Sequence, residues 1–257
     1  MQNKLEDTIM ANPVSALKRI GILGGSSDQA TVDYYVRLNK AVNRHRGGHN
    51  TAELLINSMN FALSAACVLE GRWDELGAYL AERAIALERG GADLLICVSN
   101  TLHRTAPVFM ANIKIPLLHI VDPTARAIQH LGLKKVGLLG TKPVMAGTHI
   151  SARFDELFGI ETIVPDEAGQ QLVNQIIFDE LCAGVFTENS KTRYLEVMAD
   201  LEKRGAQGVI LGCTEIPLLV KQADRPNFPM FDTTALHVEE AVDFALGAPL
   251  AKPNKLS

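Results

Sequence analysis

Little in this chain points to a scaffold stapled by disulfides or metal. Four cysteines in 257 residues, Cys67, Cys97, Cys182 and Cys213, are too few for a disulfide framework at this length. No Cys-x-x-Cys pair occurs. The one His-x-x-x-His spacing, His45 and His49 in "HRGGH", carries two glycines and lacks a glutamate after its first histidine, so no metal site is expected. An excess of one charge is also missing. The formal net charge is -4 and the basic residues are scattered, which argues against a nucleic-acid partner. Aromatic residues are few, and Trp73, Phe109, Phe178 and Tyr194 fall in or beside expected helices rather than forming a platform for bases. No run of 18 uncharged residues is present, and "MQNKLEDTIMANPVSALK" has no apolar signal-peptide core. The expectation is a cytoplasmic protein with no membrane partner. "GILGGSS" (21–27) departs from G-x-G-x-x-G spacing, so its glycines are read as a tight turn beside a ligand and not as a dinucleotide loop.

What the chain has is alternation. From residue 19 onward, short Val/Ile/Leu runs alternate with longer amphipathic stretches, the pattern of βα units around parallel sheets. Strands are predicted at 19–23, 53–57, 93–97, 116–120, 135–139, 161–164, 208–212 and 229–231. Helices are predicted at 28–43, 72–90, 101–111, 122–131, 147–157, 169–184, 188–203 and 234–246, with Pro107 expected to kink or break the third. The fold class is α/β.

The chain also repeats itself. "GADLLICVSNTLH" (91–103) returns as "GAQGVILGCTEIP" (205–217), an offset of 114, and "RIGILGG" (19–25) returns as "KVGLLGT" (135–141), an offset of 116. Weak likeness among all βα units is the ordinary alternative, but two phrases in the same order at nearly equal offsets favour duplicated halves. The expected organisation is two pseudo-symmetric domains, each a parallel sheet flanked by helices. The first covers 18–119 and is completed by 225–247, the second covers 120–224, and 1–17 and 248–257 are flexible tails.

Ligands of parallel sheets sit at the carboxyl ends of strands. Two facing halves would place the repeated strand ends, Ser99 and Cys213, on opposite sides of one small ligand in the cleft between the domains. Two such groups suit a cofactor-free inversion at carbon, where one removes a proton and the other returns one from the far face. Cys213 is read as a nucleophile or thiol acid/base, expected to ionise easily beside a helix N-terminus, with an inert core cysteine as the ordinary alternative. Asn100, Thr101, Thr141 and Thr214 are candidate donors to a substrate carboxylate, and Ser27 is a further binding candidate. Glu215 can orient an amino group or tune Cys213. Asn60 can bond substrate from a loop. Ordinary readings stand beside these: Ser99 as an N-cap, Thr101 and Thr214 as helix starts, Glu215 as a first-turn acid, Asn60 as a turn residue and His103 on the surface. Cys97, earlier on the strand of Ser99, is expected to be core.

"GILGGSS" with Thr31 and Tyr34-Tyr35, "LLGT" (138–141), "NQIIFDEL" (174–181), "GCTEIPLL" (212–219) and "FDTTALH" (231–237) together resemble the aspartate/glutamate racemase family, over about residues 18 to 247. The resemblance implies cofactor-independent racemisation of a small amino-acid substrate, aspartate or glutamate, with no pyridoxal phosphate, no metal and a homodimer. The family usually carries cysteine at both flanking positions; Ser99 replaces the first here, and a hydroxyl is a far poorer base than a thiol. Unequal handling of the two enantiomers is expected. Aspartate-preferring members place a basic residue near the end of the segment resembling "FDELCAG", where this chain has Cys182. Two alternatives follow from the missing thiol: a one-sided lyase or decarboxylase using Cys213, and a non-catalytic amino-acid-binding protein on the same scaffold.

Overall fold

The computed structural model describes residues 16–251. Two four-stranded parallel sheets carry the chain. The first has β1 (Ile20–Gly24), β2 (Leu54–Ser58), β3 (Leu94–Cys97) and β4 (Leu117–Leu118) in the order β2-β1-β3-β4. The second has β5 (Lys135–Leu139), β6 (Glu161–Ile163), β7 (Val209–Leu211) and β8 (Met230–Asp232) in the order β6-β5-β7-β8. The second order is the first advanced by four, so the duplicated phrases occupy equivalent strands. The central strands β1, β3 and β7 are buried at every position, as sheets covered on both faces require, which explains their unbroken apolar runs.

Helices α1 (Asp28–Arg46), α2 (Phe61–Glu70), α3 (Trp73–Arg89) and the short α4 (Ala106–Phe109) flank the first sheet. Helices α5 (Val121–His130), α6 (Lys142–Ala146), α7 (Thr148–Phe158), α8 (Glu167–Asp179), α9 (Glu188–Lys203) and the short α10 (Ile216–Leu219) flank the second. The last helix, α11 (Thr233–Ala245), returns to the first domain, where Val238, Ala241, Val242 and Ala245 join the core of Ile20, Ile22, Tyr34 and Leu38. Helix α5 belongs to the second core with Val136, Leu138, Ile210 and Phe231, and packs on α11.

The repeat has a backbone cause. Gly91 and Gly205 follow α3 and α9 at φ +91° and +94°, a region open to glycine, and each N–H bonds a carbonyl of the helix just ended, Glu88 and Glu202. The same helix-to-strand turn is built twice.

Four expectations change. The expected boundary at 225 places β8 with the first domain, whereas β8 pairs in register with β7 (Val209↔Met230 to Leu211↔Asp232); the first domain recovers only α11. The helix expected at 101–111 is a 3-10 turn, Thr101–Thr105, followed by α4; Pro107 has no N–H to continue a helix through it. The helix expected at 147–157 is preceded by a separate short one, α6, and the segment 61–70, for which no element was predicted, is α2. Most of the two expected tails lies outside the described residues, but Leu17 and Leu250 pack against the first core.

Candidate active site

The carboxyl ends of β1, β3, β5 and β7 open on one cavity of about 620 Å³ between the two domains. Ser27, Ser99, Asn100, Thr101, Thr141, Cys213, Thr214 and Glu215 line it. Ser99 and Cys213 stand two residues beyond β3 and β7, at equivalent places in the two halves. Close approach of the strands is needed there. A Cβ at Gly212 would lie 2.8 Å from the Leu139 carbonyl oxygen, and Gly212 N–H donates to that oxygen at 2.7 Å.

Glu215 organises the Cys213 side. Its Oε2 accepts from Cys213 Sγ at 3.0 Å and from Thr214 Oγ1 at 2.6 Å, and its Oε1 accepts from Ser27 Oγ at 3.1 Å. Ser27 also caps α1, its Oγ accepting from Ala30 N–H at 3.1 Å, so one hydroxyl ties the first domain to the acid of the second. One further tie crosses the cleft, a hydroxyl hydrogen bond of 3.0 Å between Thr101 and Thr141, and Asn100 Nδ2 donates at 3.2 Å to Thr233 Oγ1, at the junction of β8 and α11.

The thiol differs from expectation. Burial and the negative charge of Glu215 push Cys213 well above the usual thiol range, and only the four-residue α10 follows it, so no long helix N-terminus favours the thiolate. Cys213 rests as a thiol donating to a carboxylate.

The Ser99 side is poorer in chemistry. Ser99 Oγ accepts a long bond from Leu102 N–H, 3.4 Å, as a cap of the 3-10 turn. His103 is buried rather than on the surface, and its ring meets the Ser99 carbonyl oxygen at 2.7 Å and the Ile120 N–H at 3.3 Å, not the hydroxyl. Burial lowers His103 to about 3. Cys97 is fully buried in the first domain's core and pushed up to about 12 by that burial.

Asn60 does not line the cavity. Its Oδ1 caps α2 by accepting from Ala62 N–H at 3.1 Å, an interaction that an Asn ahead of a helix start is suited to make. The lining that sequence reasoning missed comes from α2 and α8. Phe61, Ser64, Ala65, Val68 and Leu69 form one stripe of α2, and Asn174, Ile177 and Phe178 form one of α8; both follow i, i+3, i+4 spacing, the signal that was available. Cys182 joins them because α8 ends at Asp179 and a 3-10 turn, Leu181–Ala183, closes on Gly184. Among the described residues, no group of three or more His, Cys, Asp or Glu is placed to hold a metal ion. Among the described residues, no helix is long and apolar enough to cross a membrane.

Two duplicated parallel-sheet halves enclose one cleft at matched strand ends, with Ser99 on one side and Cys213 on the other. A family model, Asp/Glu/Hydantoin racemase, matches residues 20–241, and the chain belongs to that family. It is 40% identical to a candidate Asp/Glu racemase of known structure from Yersinia pestis, over 90% of this chain and 100% of that one, with a TM-score of 0.84. It is 33% identical to an aspartate racemase homologue from Pyrococcus horikoshii OT3, over 90% and 100% of the two chains, with a TM-score of 0.76. The broad specificity amino-acid racemase RacX of Bacillus subtilis is 29% identical over 87% of this chain and 96% of its own length.

Proposed function

We propose that the protein racemises amino acids at the α-carbon without a cofactor, with Cys213 and Ser99 on opposite faces of the substrate. The observation that carries this reading is their equivalent position at the ends of β3 and β7 around one cavity. Cys213 first loses its thiol proton to solvent and, as thiolate, takes the α-proton and so returns to the thiol, while the electron pair passes into the substrate carboxylate, held by donors from Asn100, Thr101, Thr141 and Thr214. Ser99 gives its hydroxyl proton to the far face and regains one from solvent. The reverse direction asks the hydroxyl to act as base with no carboxylate or imidazole bonded to it, so the enantiomers are handled unequally.

Aspartate and glutamate, the substrates implied by the resemblance, are the reference compounds; among the described residues lining the cavity, Lys142 is the only cation. Exposed Val32, Tyr35 and Val36 on α1 with Leu218 support a homodimer, which sedimentation at several concentrations tests. Four free thiols suit a cytoplasmic location. The test of mechanism is Cys213→Ser: α-proton exchange into deuterium oxide should fall at least a hundredfold with the fold intact by circular dichroism. Unchanged exchange would remove the thiol from the reaction.

A further inference from the structure

We infer that the site is built for amino acids with apolar side chains larger than alanine, such as leucine, methionine and phenylalanine, in preference to the acidic ones. The inference rests on the racemase reading and specifies its substrate. The cavity has two unlike ends. One, at the strand termini, carries the hydroxyls, the Asn100 amide, the thiol and Glu215, and suits the ammonium and carboxylate common to all amino acids.

The rest of the lining comes from Phe61, Ala65 and Val68 of α2 and from Ile177, Phe178 and Cys182 of the second domain, with Ser64 and Asn174 as its polar members; Ser64 Oγ already donates to the Phe61 carbonyl oxygen and Asn174 Oδ1 accepts from Lys142 N–H. None of these carries a positive charge, and an anionic side chain set against them would lose much of its hydration without a counter-charge. Lys142 is exposed, and Glu215 already places an acid in the same cavity. A volume of about 620 Å³ is in the range that holds drug-sized ligands, ample for an aromatic or branched side chain. An apolar side chain covers the wall and removes it from water.

The experiment measures kcat/KM for α-proton exchange of the purified full-length protein with alanine, leucine, methionine, phenylalanine, aspartate and glutamate, each as both enantiomers. Leucine or methionine should exceed alanine by about tenfold or more, as apolar pockets typically discriminate by that factor, and should exceed both acids. Val68→Lys, which adds a cation to the wall, should lower the leucine value and raise the glutamate value. Because that variant can misfold, the wild-type ranking is decisive by itself. Aspartate or glutamate ranking above leucine and methionine overturns the inference and leaves the racemase reading standing; no exchange with any amino acid overturns the racemase reading and the inference with it.

Discussion

Replacing Glu215 with glutamine removes the charge next to the Cys213 thiol and keeps a side chain of nearly the same shape. The carboxylate oxygen lies 3.0 Å from Cys213 Sγ. A thiolate at that separation is opposed by about 5–6 kcal/mol at an effective dielectric constant near 20, and solvent at a partly exposed sulfur reduces this to about 2–3 kcal/mol. With about 1.4 kcal/mol per factor of ten, Glu215→Gln should raise the thiolate population at neutral pH by on the order of a hundredfold. A less basic thiolate is also a weaker nucleophile, with a Brønsted coefficient of about 0.5, so alkylation should accelerate by about tenfold. The assay follows iodoacetamide labelling of the Cys213 peptide by mass spectrometry in a Cys182→Ala background, since Cys182 also lines the cavity and is pushed up to about 12, mainly by burial. Slower labelling in the glutamine variant would refute the reasoning, because it would mean that Glu215 accepts the thiol proton instead of opposing the thiolate.

Other consequences follow from the same structure. Ser99→Cys restores a thiol to the first half and should raise inversion relative to one-sided exchange by about tenfold or more, read by chiral chromatography. Burial lowers His103 to about 3 and His149 and His237 to about 4, so the unfolded chain binds more protons below pH 6.5. Stability is therefore held above that pH and lost as pH falls from about 6.5 towards 4, each histidine steepening the decline by up to about 1.4 kcal/mol per pH unit; denaturant titrations across this range check it. Gly25→Ala should cost about 3 kcal/mol or more from left-handed strain plus overpacking, since φ is +86° and a Cβ would lie 2.2 Å from the Met59 carbonyl oxygen. Gly205→Ala, at φ +94° with its nearest neighbour 3.8 Å away, should cost only about 1–2 kcal/mol. Equal Tm losses for the two glycine variants would remove the backbone clash from the explanation.

The strands were legible because β1, β3 and β7 are fully buried apolar runs, and the duplication was legible because Gly91 and Gly205 must both take positive φ. Helix α2 was not, since exposed Phe61, Leu63 and Leu69 blur the contrast between its buried and outer faces; its signals were the caps, Asn60 before it and Gly71 after it. The strand-end lining of the cavity was legible from the repeated phrases, whereas its α2 and α8 lining was not. Nor was the hydrogen bonding of the strand-end residues, because Ser27 and Glu215 lie 188 residues apart and only folding brings them together. The same holds for the thiol. A helix start after Cys213 suggested easy ionisation, whereas Pro217 sits at the start of a four-residue helix and the adjacent Glu215 turns its carboxylate back onto the sulfur.

The most direct test of the two-sided proton transfer is incubation of the protein in deuterium oxide with each enantiomer of leucine, aspartate and glutamate, pyridoxal phosphate and added metal excluded, following the α-proton by NMR and handedness by chiral chromatography. The account predicts loss of the α-proton with inversion, and, for the enantiomer whose α-proton faces Cys213, exchange faster than inversion. Retention of the α-proton in all of these amino acids would contradict it.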